Sequence, residues 1–246
     1  MAGAIVNIWG VPWTFKSHLA ISSVEHVKGG IAIIDLDRRL DAVLPHFKEQ
    51  AKRITVDRPA LPQTLGLDDI DTAAKPGGWL KVFKNCGQLL KKAADNEAVS
   101  VVVIDTSTIF YQIVREARLE QIAQEASGKG EKRTALNKFE YGPISSYMLA
   151  AYSYVKDKGK ILVLVSHSRP IYDTEGKETG EFEADSWGGQ TGVCDIEVET
   201  VRINDDVKLL VKKNGYSRSA TASALPCAWE TITELSQGKH EAKRIK

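Results

Sequence analysis

Four short stretches carry side chains able to do chemistry together. The first is Gly10-Val11-Pro12-Trp13-Thr14-Phe15-Lys16-Ser17-His18, which follows an apolar run from Ala4 to Trp9 and leads into a segment of helical spacing. Strand, glycine-containing loop, Lys-Ser and helix is the build of a phosphate-binding loop. Backbone N–H groups of such a loop and of the first helical turn face phosphate oxygens, where the helix dipole adds partial positive charge. Lys16 then sits on the β- and γ-phosphates and the Ser17 hydroxyl ligates Mg²⁺. One position departs from the pattern G-x-x-x-x-G-K-[ST]: Phe15 stands where the second glycine belongs and puts a large side chain where the backbone must approach a phosphate. Pro12 also removes one N–H donor. The alternative is an ordinary strand–loop–helix turn whose lysine is a surface residue.

The other three stretches are strand ends. Ser100-Val101-Val102-Val103-Ile104-Asp105 has the form of a Walker B strand, four branched aliphatics closing on a carboxylate that binds Mg²⁺ opposite the loop serine. Ile31–Ile34 ends in Asp35-Leu36-Asp37, and acids just past a parallel strand fall on the edge where α/β sheets bind ligands. Solvation of a strand end explains them equally well, and the residue types do not say which of the two faces the site. Ile161–Val165 ends in Ser166-His167, where a polar side chain could sense a γ-phosphate or be structural.

Helical spacing over 17–27, around 40–50, and over 79–95, 108–125 and 139–155 alternates with these strands, which predicts an α/β protein with a parallel sheet. Ile54-Thr55-Val56 adds a short strand. Residues 168–192 are polar and glycine-rich and read as a long functional loop. Cys194–Val201 and Val207–Val211 around Asn204-Asp205-Asp206 read as a hairpin, followed by the basic cluster 212–218 and a last short element at 226–235. Neither repeats nor a second composition regime appear, so the expectation is one core over residues 1–236 and a charged, disordered tail over 237–246.

Composition narrows the classes further. The 246 residues carry a net charge of +1, so contact with nucleic acid would need a local patch. The three cysteines are far apart and form no CxxC pair, which suggests neither a disulfide framework nor a zinc site. Neither a signal h-region nor a membrane-length apolar run is present, so a soluble protein of a reducing cytoplasm, with no membrane partner, is expected.

Taken in order, GVPWTFKSHLA, IAIIDLD, VVVIDTST, ILVLVSHSRPIYDTEGKETGEFEADSWGG and VKKNGYSR resemble the RecA-like P-loop ATPases, and among them a phage-associated group of small single-domain ATPases linked to recombination and single-strand annealing. The resemblance spans most of the chain. It implies a three-layer α/β/α RecA-like core with a largely parallel central sheet and a C-terminal β-hairpin. ATP and Mg²⁺ would lie at the strand ends and at a subunit interface, in a ring or filament. It implies Lys16, Ser17 and Asp105 on phosphates and metal, Asp37 (a Glu in relatives) as the residue that polarises water, and His167 as the sensor. Lys212, Lys213 and Arg218 would be basic fingers reaching a neighbour's γ-phosphate. The loop 168–192 would contact single-stranded DNA; the backbone-binding and stacking candidates are Arg133 in the earlier loop 126–137 and Arg169, Tyr172 and Trp187 in 168–192. If phage-encoded, the protein works in the host cytoplasm.

Three functions fit. One is a DNA-dependent ATPase of recombination, annealing or replication. The second is a nucleotide-binding switch or scaffold with little hydrolysis, favoured by Phe15 and by the short Asp37. The third is an ATPase that remodels a protein, favoured by the six acids between 173 and 185.

Overall fold

The aliphatic runs at 31–34, 101–104 and 161–165 have no polar face, so the strands they form must be covered on both sides. In the computed structural model, which describes residues 3–62, 78–127, 135–217 and 224–238, they lie at the centre of a nine-stranded sheet. Its strands are β1 (Ile5–Gly10), β2 (Gly30–Asp35), β3 (Ile54–Asp57), β4 (Val99–Asp105), β5 (Ile161–Tyr172), β6 (Glu178–Asp185), β7 (Ile196–Ile203), β8 (Asp206–Asn214) and β9 (Ala224–Pro226). The order is β3-β2-β4-β5-β1-β7-β8-β9, parallel from β3 to β7 and antiparallel beyond, with β6 paired to β5 off this path.

Side chains alternate across this sheet. Val6, Ile8, Ile33, Val103 and Val163 pack on one face with α1 (Lys16–His26) and a late helix, residues Trp229–Ser236. Ile5, Ile34, Ile104 and Leu164 pack on the other with α2 (Trp79–Asp95), α3 (Ser107–Ser127) and α4 (Tyr141–Asp157). A short α5 (Gln190–Val193) precedes β7, and Trp229–Ser236 is therefore α6. The result is the three-layer α/β/α architecture with a largely parallel sheet and a C-terminal hairpin, β7–β8, that turns at Asn204 with φ 56°.

Two local expectations are corrected. The helix around 40–50 is a pair of 3-10 segments, Leu40–Ala42 and Leu44–Arg53, broken at Phe47, whose φ of −114° is not helical. Pro45 lacks the N–H that a continuous α-helix through this stretch would use. The 168–192 segment is largely ordered into strand: β5 runs on past the sheet to Tyr172, turns, and returns as β6. The tail from 239 lies outside the described residues.

Candidate functional site

Parallel strands deliver their carboxyl ends to one edge, and the β2-β4-β5-β1 neighbours bring Asp35, Asp105, Ser166 and Gly10 there in adjacent register. From this edge the loop 10–15 leads into α1, whose first turn begins at Lys16. Gly10 is required by space as well as by backbone: at φ 154° a Cβ would lie 2.4 Å from the Thr200 carbonyl oxygen. The loop is fastened to β7 at the same place. Thr14, buried, donates its hydroxyl to the Val11 carbonyl at 2.7 Å and lies 2.6 Å from the Thr200 hydroxyl.

Phe15 precedes α1 with φ 59°, a left-handed conformation that costs a non-glycine residue about 1 kcal/mol or more. This is the backbone region that glycine favours. The ring is 56% exposed and meets His18 edge-on at 6.0 Å, on the flank of α1 that faces Leu19 and Ser22. The Phe15 side chain is thus turned outward along α1. Trp13, also at positive φ, is 87% exposed. Val11 and Pro12 are exposed beside it. His18 lies between Phe15 and the His46–Phe47 pair, meeting their rings edge-on or tilted, and burial, with His46 next, lowers its pKa.

Lys16 donates to the Val11 carbonyl at 2.8 Å. Burial lowers the pKa of its amine, against the pull of Asp105 and Asp37. Asp105 is buried at the end of β4, and the nearby Ser17 hydroxyl favours its charged form. Desolvation pushes this carboxyl up to about 7, helped by Asp35 and Asp37 and opposed by Ser17 and Lys16. The peptide between Asp105 and Thr106 is cis.

The two acids after β2 separate cleanly. Asp35 is fully buried, paired with Arg58 at 2.8 Å and accepting from the Arg38 backbone N–H at 2.8 Å. Asp37 is the one turned to His167, with Oδ2 3.7 Å from Nε2, while Arg39 lies 3.5 Å from its other oxygen. Lys16, Ser17, Asp37, Asp105 and His167 are thus gathered at one edge.

The remaining candidates fall elsewhere. Lys212 is held by Glu199 at 2.8 Å and lies 5.3 Å over the Trp9 ring. Lys213 donates to the Thr191 and Gly192 carbonyls at the end of α5. Both amines are thus engaged within the chain. Arg169 is paired with Glu183 at 2.8 Å, and the Tyr172 hydroxyl donates to Glu178. Trp187 is half-buried, donates to Ser145 at 3.1 Å and meets the Tyr152 ring edge-on. Arg133 and Arg218 lie outside the described residues.

Sequence reasoning missed a buried polar cluster beneath this edge. The Gln190 amide nitrogen reaches Asn7, Ser166 and Ser107 at 3.0, 3.0 and 3.2 Å, and its oxygen accepts from Tyr152. Asn7 in turn donates to Glu197, whose second oxygen has no partner among the described residues. The only sequence signal was polar residues interrupting apolar strands, at Asn7 and Glu197.

Comparisons by sequence find no family model that matches and no curated protein that matches. Among solved structures the chain is similar to the crystal structure of the RadB recombinase, at 13% identity and a TM-score of 0.49, over 87% of this chain and 82% of that one.

Proposed function

We propose that the chain binds a nucleoside triphosphate with Mg²⁺ at the edge formed by Gly10–His18, Asp37, Asp105 and His167, and hydrolyses it as an ATPase of the RecA-like kind. The observation that carries this reading is the gathering of the Lys16 amine and the Ser17 hydroxyl, at the start of α1, with the Asp37 and Asp105 carboxyls. A buried acid pushed up toward neutrality is a group that a cation would return to its charged form. Hydroxyl and carboxylate oxygens are hard donors, and no cluster of three or more His, Cys, Asp or Glu able to hold a metal exists among the described residues. Two protein oxygens, with phosphate and water filling the rest, is the donor set that suits Mg²⁺. When bound, the ion offsets phosphate charge.

The chain's own residues would divide the remaining work. N–H groups at the start of α1 would hold phosphate oxygens, and the Lys16 amine would leave the Val11 carbonyl for the terminal phosphates. Asp37 would orient water, with His167 beside it at 3.7 Å reporting on the same place. One observation favours the second reading, binding with little turnover: Arg39 shares the Asp37 carboxylate at 3.5 Å. We take residues 1–236 as the unit that carries the site. No helix among the described residues is long and apolar enough to cross a membrane.

The test is titration of a fluorescent ATP analogue with Mg²⁺, read alongside phosphate release. Lys16→Ala should weaken binding at least about tenfold, the scale of losing one charge-assisted contact. Native binding with no release selects the switch, and equal binding by native and Lys16→Ala chains overturns the reading.

A further inference from the structure

The β5–β6 ribbon is the part of the fold that the nucleotide reading leaves unexplained. Beyond Ser166 it leaves the sheet, and among the described residues β6 pairs with β5 alone. A two-stranded ribbon in water is marginal by itself, and its unpaired edge is a row of open N–H and C=O groups.

Its two faces differ in chemistry. Register places Pro170 opposite Phe182 and Ser168 opposite Ala184, so these share one face. Arg169 opposite Glu183, and His167 opposite Asp185, share the other, with Glu181 alternating onto it. The first face shows Phe182 at 43% exposure, and Tyr172, near the tip, is exposed at 55%. On the second, the one guanidinium is already taken up by Glu183 and Asp185. From 168 to 186 there are two basic residues against six acidic ones, a net charge of −4. Such an arm repels a polyanion, since binding along a phosphate backbone rests on cationic side chains that release counterions.

We infer that the open edge of β6 accepts an extended, positively charged protein segment as an added strand, with basic and apolar residues in alternation. The added strand's pleat sends successive side chains to opposite faces, so basic residues would meet Glu181, Glu183 and Asp185 while apolar ones cover Phe182 and Ala184. Main-chain bonds supply affinity and the alternation supplies register. The root of the ribbon is fastened close to the phosphate edge. The His167 backbone N–H donates to the Thr108 hydroxyl, which itself donates to the Asp185 carbonyl. The inference goes beyond the nucleotide reading and stands without it.

The experiment uses the full chain without nucleotide and labelled peptides of about eight residues, the length of β6. One alternates lysine and valine, one has the same composition in two blocks, and one alternates glutamate and valine. A thymidine oligonucleotide is the fourth probe. Fluorescence anisotropy should show the alternating lysine peptide bound at least about tenfold tighter than the block isomer. Phe182→Ser, and Glu181→Gln combined with Glu183→Gln, should each weaken it about tenfold. These positions are exposed, so the variants keep the fold. Amide exchange should slow along 178–185 on binding. Absence of binding, equal binding of the block isomer, indifference to these variants, or competition by the oligonucleotide would each overturn the inference.

Discussion

Replacing Asp105 by asparagine tests the electrostatics of the site most directly. The carboxyl is buried at the end of β4, and desolvation outweighs Ser17 and Lys16 to raise it from 3.8 to about 7. Each unit corresponds to about 1.4 kcal/mol, so the rise amounts to about 4 kcal/mol of destabilisation once the group is charged. The folded chain holds this proton more tightly than the unfolded chain. The cost is therefore absent below the unfolded value of 3.8 and grows as pH rises through about 7. Asparagine has no proton to lose, and all other titrating groups are shared by the two chains. Urea unfolding of both across this pH range should give equal stabilities at the acid end. At the alkaline end the variant should lead by up to about 4 kcal/mol, or roughly 8–16 °C in Tm. Mg²⁺ with nucleotide should then stabilise the native chain and leave the variant unmoved. A stability difference that does not change with pH would refute the claim that the Asp105 charge is desolvated.

Three further substitutions probe the scaffold. Gly10→Ala forces a Cβ to within 2.4 Å of the Thr200 carbonyl and should cost about 2 kcal/mol or more, read as a Tm lowered by several degrees. Gln190→Leu strips partners from Asn7, Ser107, Ser166 and Tyr152, all buried, and should cost about 2–4 kcal/mol by urea unfolding. Phe15→Gly removes about 1 kcal/mol of left-handed strain but frees the unfolded chain by about as much, so its Tm should stay close to the native value; a large drop would mean the ring is a buried contact.

What could be seen in the sequence follows from how local each cause is. The runs at 31–34, 101–104 and 161–165 announce strands because burial on both faces leaves nothing polar in them. Residues 79–95 announce a helix because Val82, Cys86, Leu90, Ala93 and Ala94 form one buried stripe. The ribbon was hidden under its polarity, although Glu181-Phe182-Glu183-Ala184-Asp185 alternates strictly and its turn has Gly176 at φ 79°. The choice between Asp35 and Asp37 was not local at all. It is made by Arg58, which takes Asp35 from 23 residues away. Lys212 is likewise claimed by Glu199 across the β7–β8 pair, and Gln190 by residues of four other elements, contacts that no spacing rule encodes.

The Val11 carbonyl accepts from both the Thr14 hydroxyl and the Lys16 amine. The lysine therefore has an internal rival to any anion that approaches the loop. Under the nucleotide reading, a ligand would have to offer more than the dipole of one carbonyl to draw the amine away, so a singly charged anion would gain little where a polyphosphate would gain much. Thr14 holds that carbonyl independently of the lysine, and Thr200 on β7 holds Thr14, so under the nucleotide reading β7 would be the fixed point against which the lysine moves. On that reading, a neutral backbone oxygen and two buried hydroxyls would help set the threshold for discriminating among anions.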